Sequence, residues 1–352
     1  MKFENANSKI SVFFILLSIF CLIFTSGCSK KEKLNEAKKL IEEKKYVEAL
    51  PLLEEFVKKY PDSAEGHYYL GIAYMHDSKH DYLDASEEFK KAIVIKPDYA
   101  DAHYQLGMTY YEGGAGSLDD AISEFEKALL IDPQYAQATN SLGLAYYDKG
   151  LEEEAIAEWE KTIRIDNSFY IAHNNLGWLY YNSKKYKEAI EQYRKTIKIQ
   201  PNDAVAYYNM GLVYSDLKQY DSAIYYYKQM VKLTPNNPNA HFILGDSYFA
   251  NGLNPEAINE YKKVIEINPF DAEAHLALGK SNEKAGWLND AISEYKKAIE
   301  IDPNYVEVHY QLAETYYRNG RRQDAEDELK AALALVPDYA EAKALLQKVT
   351  RR

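Results

Sequence analysis

The blocks LGMTYY, LGLAYY, LGWLYY, MGLVYS and LGDSYF recur along the chain, each set 34 or 36 residues from the next. A proline usually closes the same frame: Pro61, Pro97, Pro133, Pro201, Pro235, Pro269, Pro303 and Pro337, with Asn167 standing where one is missing. A fixed period of this length predicts stacked copies of one small unit, because each copy buries its apolar face only against its neighbours. That arrangement favours binding over catalysis.

The period overrides the two or three compact domains that 352 residues would otherwise suggest. Apolar residues at 47% suffice for a continuous core, and charged residues at 27% suit a solvated exterior. Tyrosine is abundant, at 33 residues, and its rings can pack between helices or line a wet groove. The formal charge of −12 excludes a nucleic-acid partner, which needs clustered Lys and Arg along a phosphate backbone.

Within each unit, two stretches of about a dozen residues carry apolar side chains at spacings of three and four, the signature of amphipathic helices. Leu106 and Tyr110, then Ala121, Phe125 and Ala128, show it in one copy. Clean two-residue alternation is missing, so the expected fold is all-α. Gly107, Gly143, Gly177, Gly211, Gly245 and Gly279 fall inside first helices, where glycine costs about 1 kcal/mol relative to alanine. Such glycines predict close approach by a second helix, and Ala85, Ala121, Ala155, Ala189, Ala223, Ala257, Ala291 and Ala325 serve the same purpose on the facing side. Proline ends each second helix. Pro51 falls within a second helix and predicts a kink or a late start.

These residues resemble the tetratricopeptide repeat. Gly177-Trp178 with Tyr180, Ala189, Tyr193 and Pro201 shows the pattern in one unit, and the resemblance extends over residues 30–339. Ala37 and Ala313 for Gly, Asn282 for Tyr and Asn167 for Pro depart from it. The expected organisation is nine repeats, at 30–63, 64–99, 100–135, 136–169, 170–203, 204–237, 238–271, 272–305 and 306–339, closed by a capping helix and tail over 340–352. The resemblance implies a right-handed superhelical solenoid whose concave face is lined by first helices. Carried over by position, that groove presents Tyr104, Gln105, Met108, Tyr111, Asn140, Tyr147, Asn174, Asn175, Trp178, Tyr181, Tyr208 and Asn209. Rings interleaved with amides suit an extended peptide or a partner protein. Relatives that grip a C-terminal carboxylate use Lys, Arg and Asn at groove positions. Here Lys280 is the only base at those sites in the eight clear units, so that chemistry is not expected.

Residues 1–27 read as an address. Lys2 and Lys9 precede an apolar run from Ile10 to Phe24, and Thr25-Ser26-Gly27-Cys28 follows. The run is short for a spanning helix. Its ending resembles a bacterial lipoprotein box, although Thr25 stands where leucine is usual. That resemblance implies cleavage after Gly27, lipidation of Cys28, a short tether over 28–33, and attachment to a bacterial membrane. Ser29 points to the outer membrane in a cell with two. A plain signal peptide and an uncleaved anchor are the alternatives.

His67, His103, His173, His241, His275 and His309 recur at the fourth position of their units. Equivalent helices in a stack lie about 10 Å apart, too far for ligands of one metal ion. His76 and His80, with Asp77 and Asp81, share an enlarged inter-helix loop that reads as solvated. Gly279-Lys280-Ser281 lacks the preceding strand and glycine of a phosphate loop. No nucleophile and base are brought together, so no enzyme activity and no cofactor is expected. The sequence therefore predicts a membrane-anchored interaction scaffold. Two alternatives are an assembly factor for an outer-membrane secretion or pilus complex, similar to pilotins, and a self-associating structural solenoid.

Overall fold

The computed structural model describes residues 31–351. The segment 1–30, including Cys28 and the apolar run, lies outside the described residues, as does Arg352. Among the described residues every regular element is an α-helix, and successive helices pair. None is long and apolar enough to cross a membrane. The chain divides into two units, up to Asn175 and from Leu176 onward.

The first unit holds α1 (31–42), α2 (Tyr46–Lys59), α3 (Ala64–His76), α4 (Tyr82–Ile95), α5 (Ala100–Gly113), α6 (Leu118–Ile131), α7 (Ala136–Asp148) and α8 (Glu152–Ile165). The division falls inside α9 (Tyr170–Asn182). The second unit continues with α10 (Tyr186–Ile199), α11 (Ala204–Asp216), α12 (Tyr220–Leu233), α13 (Pro238–Ala250) and α14 (Asn254–Ile267). It closes with α15 (Ala272–Lys284), α16 (Leu288–Ile301), α17 (Val306–Arg318), α18 (Arg322–Leu335) and α19 (Ala340–Thr350).

Local chemistry sets the ends of these helices. Ser117 caps α6 through a reciprocal pair: its hydroxyl accepts from Asp120 N at 3.1 Å, and the Asp120 carboxylate accepts from Ser117 N at 2.9 Å. Second helices stop because the residue before proline is pushed towards extended backbone, as at Lys96 (φ −132°, ψ 88°). Asp166, followed by Asn167 instead of proline, adopts nearly the same conformation (φ −135°, ψ 102°). There Asp166 Oδ1 accepts from the Ser168 amide at 2.9 Å, so a side-chain turn substitutes for the ring. Pro51 lies within α2, which starts at Tyr46 and runs to Lys59, so the late start does not occur.

The core is built from a ring laid on a glycine. A methyl group on Gly107 would come 2.6 Å from the Phe125 ring, and one on Gly143 would come 2.7 Å from the Trp159 indole. In the second unit a methyl group added at Gly211, Gly245 or Gly279 would likewise run into the ring of Tyr227, Tyr261 or Tyr295. The glycines thus admit an aromatic side chain from the second helix, a more specific task than general closeness of backbones. Two of the sequence departures follow from this packing. Ala313 shares its cluster with Leu329, and Ala37 shares its own with Leu53. Where the ring becomes leucine, there is room for the alanine methyl.

Candidate functional site

First helices stand side by side in each unit. In the first, α3 touches α5 and α5 touches α7; in the second, α17 touches α19. Their shared face carries the residues that the repeat pattern assigns to a groove.

On the first unit this face is a lattice of half-buried rings. Tyr104 lies 5.0 Å from Tyr135 and 6.0 Å from Phe125 between ring centroids. Burial raises its phenol, against the opposing effect of a Ser141 hydrogen bond. Gln105 is half-buried and bonds the Tyr68 hydroxyl, while Met108 packs against the neighbouring clusters. Tyr111 donates to Asp148 at 2.5 Å, across from α5 to α7. Tyr147 sits 6.0 Å from the Trp159 ring.

The amides of this unit differ from the expectation of a peptide-reading row. Asn140 is only 6% exposed, and its Oδ1 accepts from Asn175 Nδ2 at 3.1 Å. Its carbonyl also accepts from Trp159 Nε1 at 3.2 Å. Asn140 and Asn175 therefore link consecutive first helices, and Asn174 beside them is half-buried. The physical reason is its partners: position five is half-buried Tyr in the units at Tyr68, Tyr104, Tyr208 and Tyr310, whereas the shorter Asn140 is held inward by Asn175 and the Trp159 indole.

In the second unit Trp178 is the most exposed of the expected residues, at 38%, with its ring 5.6 Å from Tyr181. Burial, then a hydrogen bond to Asp216, pushes the Tyr181 phenol up to about 12. Tyr208 is half-buried, 6.3 Å from Tyr227, while Asn209 is buried. Farther along, Tyr261 donates to Asp246 Oδ1 at 2.6 Å and Tyr295 to Glu283 Oε2 at 3.1 Å. Hydroxyls of core tyrosines thus reach past the glycines to hold carboxylates on the first-helix face. Lys280, the lone groove base, is ion-paired with Glu307 at 2.6 Å.

A ring contact escaped the sequence reading. Tyr68 pairs with Tyr99 at 5.0 Å, Tyr104 with Tyr135 at 5.0 Å and Tyr310 with Tyr339 at 5.3 Å. The signal was present: each of these units has Tyr at position five and also at its last position.

The histidines form clasps. His67 Nδ1 lies 2.5 Å from Glu88 Oε2 and Nε2 lies 2.9 Å from the Pro61 carbonyl. The pattern returns at His103 with Glu124 and Pro97, and at His241 with Glu260 and Pro235. It returns again at His275 with Glu294 and Pro269, and at His309 with Glu328 and Pro303. A carbonyl only accepts, so Nε2 carries a hydrogen towards it, and at His67 the Glu88 hydrogen bond raises the imidazole above its ordinary value. Each clasp ties the end of one repeat to the second helix of the next. At the enlarged loop, Asp77 Oδ1 accepts the amides of Lys79 and His80, and His76 lies against Tyr46 with a ring separation of 5.2 Å.

Family models described as tetratricopeptide repeat or TPR repeat match residues 34–81, 78–114, 115–150, 179–218, 204–237, 245–286 and 284–349. Among solved structures, pilF of Pseudomonas aeruginosa is similar, with 24% identity over 61% of this chain and 97% of that one (TM-score 0.50). YrrB, described as a TPR protein with an unusual peptide-binding site, is 23% identical over 54% of this chain and 97% of its own (TM-score 0.48). A MamA protein is 26% identical over 49% of this chain and 94% of its own (TM-score 0.46). These likenesses concern the fold. No curated protein matches the chain. Nearly all of residues 34–349 falls under models of one family, so the chain belongs to the tetratricopeptide repeat family.

Proposed function

We propose that the protein is a non-catalytic, membrane-anchored scaffold that holds an extended peptide or partner protein on its first-helix face. The observation that carries this reading is the row of half-buried rings along the first helices. Trp178 beside Tyr181 is its most accessible part. Rings offer large contact area at small entropy cost, since two torsions fix each of them. With Asn140 and Asn209 buried, the rings and the half-buried Gln105, Asn174 and Asn175 contact the partner.

The anchor is a reading of the leader alone. Export, cleavage after Gly27 and lipidation of Cys28 follow from the resemblance of that segment to a lipoprotein signal. Several acyl chains hold a protein firmly to a bilayer. The nine repeats and the closing helix over 340–352 then project from the membrane as the binding part.

Two experiments test these statements. The triple substitution Trp178→Ala, Tyr181→Ala, Tyr208→Ala is expected to weaken capture of crosslinked cellular partners at least tenfold, a loss of about 1.4 kcal/mol or more. Its helical circular dichroism should stay close to that of the parent; undiminished capture refutes the face assignment. Cys28→Ser is expected to move the protein from the membrane pellet to the soluble fraction. Continued sedimentation with membranes points to retention of 10–24 as an uncleaved anchor.

A further inference from the structure

On the second unit, α13, α15 and the start of α17 line an open cleft of about 250 Å³, room for a large side chain. Phe242, Phe249 and Tyr305 supply its aromatic walls, and Asp246, Glu273 and Glu307 its carboxylates. Lys280 is the only cation in the lining, and Glu307 already neutralises it at 2.6 Å. Asp246 and Glu273 form no ion pair among the described residues, so the lining keeps a net excess of two acids over bases, with the Lys280 charge also felt at Asp246.

Asp246 is also fixed in place. Its Oδ1 accepts from Tyr261 at 2.6 Å, and the Tyr261 ring packs edge-on against Phe242 at 5.5 Å. Burial raises its carboxyl above the ordinary range and the Glu273 charge adds to it, while the Tyr261 bond and the Lys280 charge oppose it. A carboxylate held this way, among rings and beside a second acid, is stabilised by an incoming positive charge. Aromatic faces next to the acids add cation–π attraction.

We infer that this cavity takes the guanidinium or ammonium of an arginine or lysine side chain presented by a peptide lying along the first-helix face. The inference rests on the peptide-binding reading given above and names the chemistry of its partner: a basic segment. The volume admits one side chain and no folded element, and the charge selects its sign. The planar fork of arginine matches two neighbouring carboxylates better than a point charge does, which puts arginine ahead of lysine.

The test uses the purified protein and a fluorescein-labelled Gly-Gly-Arg-Gly-Arg-Gly-Gly peptide, with citrulline as the neutral counterpart of arginine, read by anisotropy up to millimolar protein. The arginine peptide is expected to bind at least tenfold more tightly than the citrulline peptide. Asp246→Asn with Glu273→Gln should remove that preference, because asparagine still accepts from Tyr261 while the charge is gone. Phe249→Ala should weaken the arginine peptide, and Glu152→Gln with Glu153→Gln, on α8 and outside the cavity lining, should leave it unchanged. Equal binding of both peptides, weakened by Phe249→Ala, overturns the charge assignment and leaves the peptide-binding reading standing. Arginine-selective binding that neither the acid pair nor Phe249 affects overturns the cavity assignment, and if Trp178→Ala, Tyr181→Ala, Tyr208→Ala also leaves it unchanged, the face reading falls with it. Absence of arginine-peptide binding at millimolar protein also refutes the inference.

Discussion

Gly211→Val is expected to cost about 3 kcal/mol, near the upper end of what overpacking a core costs. Even the first added carbon would stand 2.3 Å from Tyr227 Cε1 and 2.6 Å from two further ring atoms. Tyr227 is 1% exposed and has nowhere to retreat. Gly211→Ala should cost less, because alanine regains about 1 kcal/mol of helix propensity. The deciding measurement is a double-mutant cycle with Tyr227→Leu. The pair Gly211→Ala, Tyr227→Leu reproduces the combination already present at Ala313 and Leu329, so its cost should fall below the sum of the singles by about 1 kcal/mol or more. Urea midpoints read the result, and strict additivity would falsify the ring-on-glycine account. Because a repeat array need not unfold in one step, hydrogen exchange on α11 and α12 should show the same ranking.

His67→Leu is expected to destabilise by about 2 kcal/mol, the scale of a hydrogen bond to a charged group in a buried setting. Glu88 would keep Lys91, 2.6 Å away, which limits the loss. The pH dependence carries the sign. The Glu88 hydrogen bond raises the His67 imidazole above 6.5, so its contribution is complete below that pH and fades as pH climbs through the folded value. For Glu88, desolvation pushes upward, but hydrogen bonds from His67 and Lys91 prevail and hold it below 4.5. Its contribution is present above pH 4.5 and fades as pH drops through the folded value. The stability gap between parent and variant should therefore peak between pH 4.5 and 6.5 and shrink on the alkaline side. A gap that grows with rising pH would show that the clasp works with a neutral ring.

The sequence carried the helices plainly, because a 34-residue period leaves little choice about what stacks on what. It also marked the histidines as part of the repeat. What it did not show was their work: Glu88 lies 21 residues and Pro61 six residues from His67, and only folding closes that triangle. The face residues were legible by position, yet their exposure was not. Trp178 and Asn140 occupy neighbouring rows of the same pattern, but one is 38% exposed and the other 6%. Repeat position fixes the direction of a side chain, whereas its length relative to its neighbours fixes whether water reaches it.

By itself the sequence determined the all-helical class, the period, and the acidic, tyrosine-rich composition, since these follow from spacing and residue counts along one dimension. Tertiary structure decided which glycine meets which ring, why alanine suffices at 37 and 313, and which three carboxylates gather around Phe242 and Phe249 with Lys280 as their single cation. Those are matters of volume and charge within a few ångströms, and they arise only when side chains far apart in the chain share the same space.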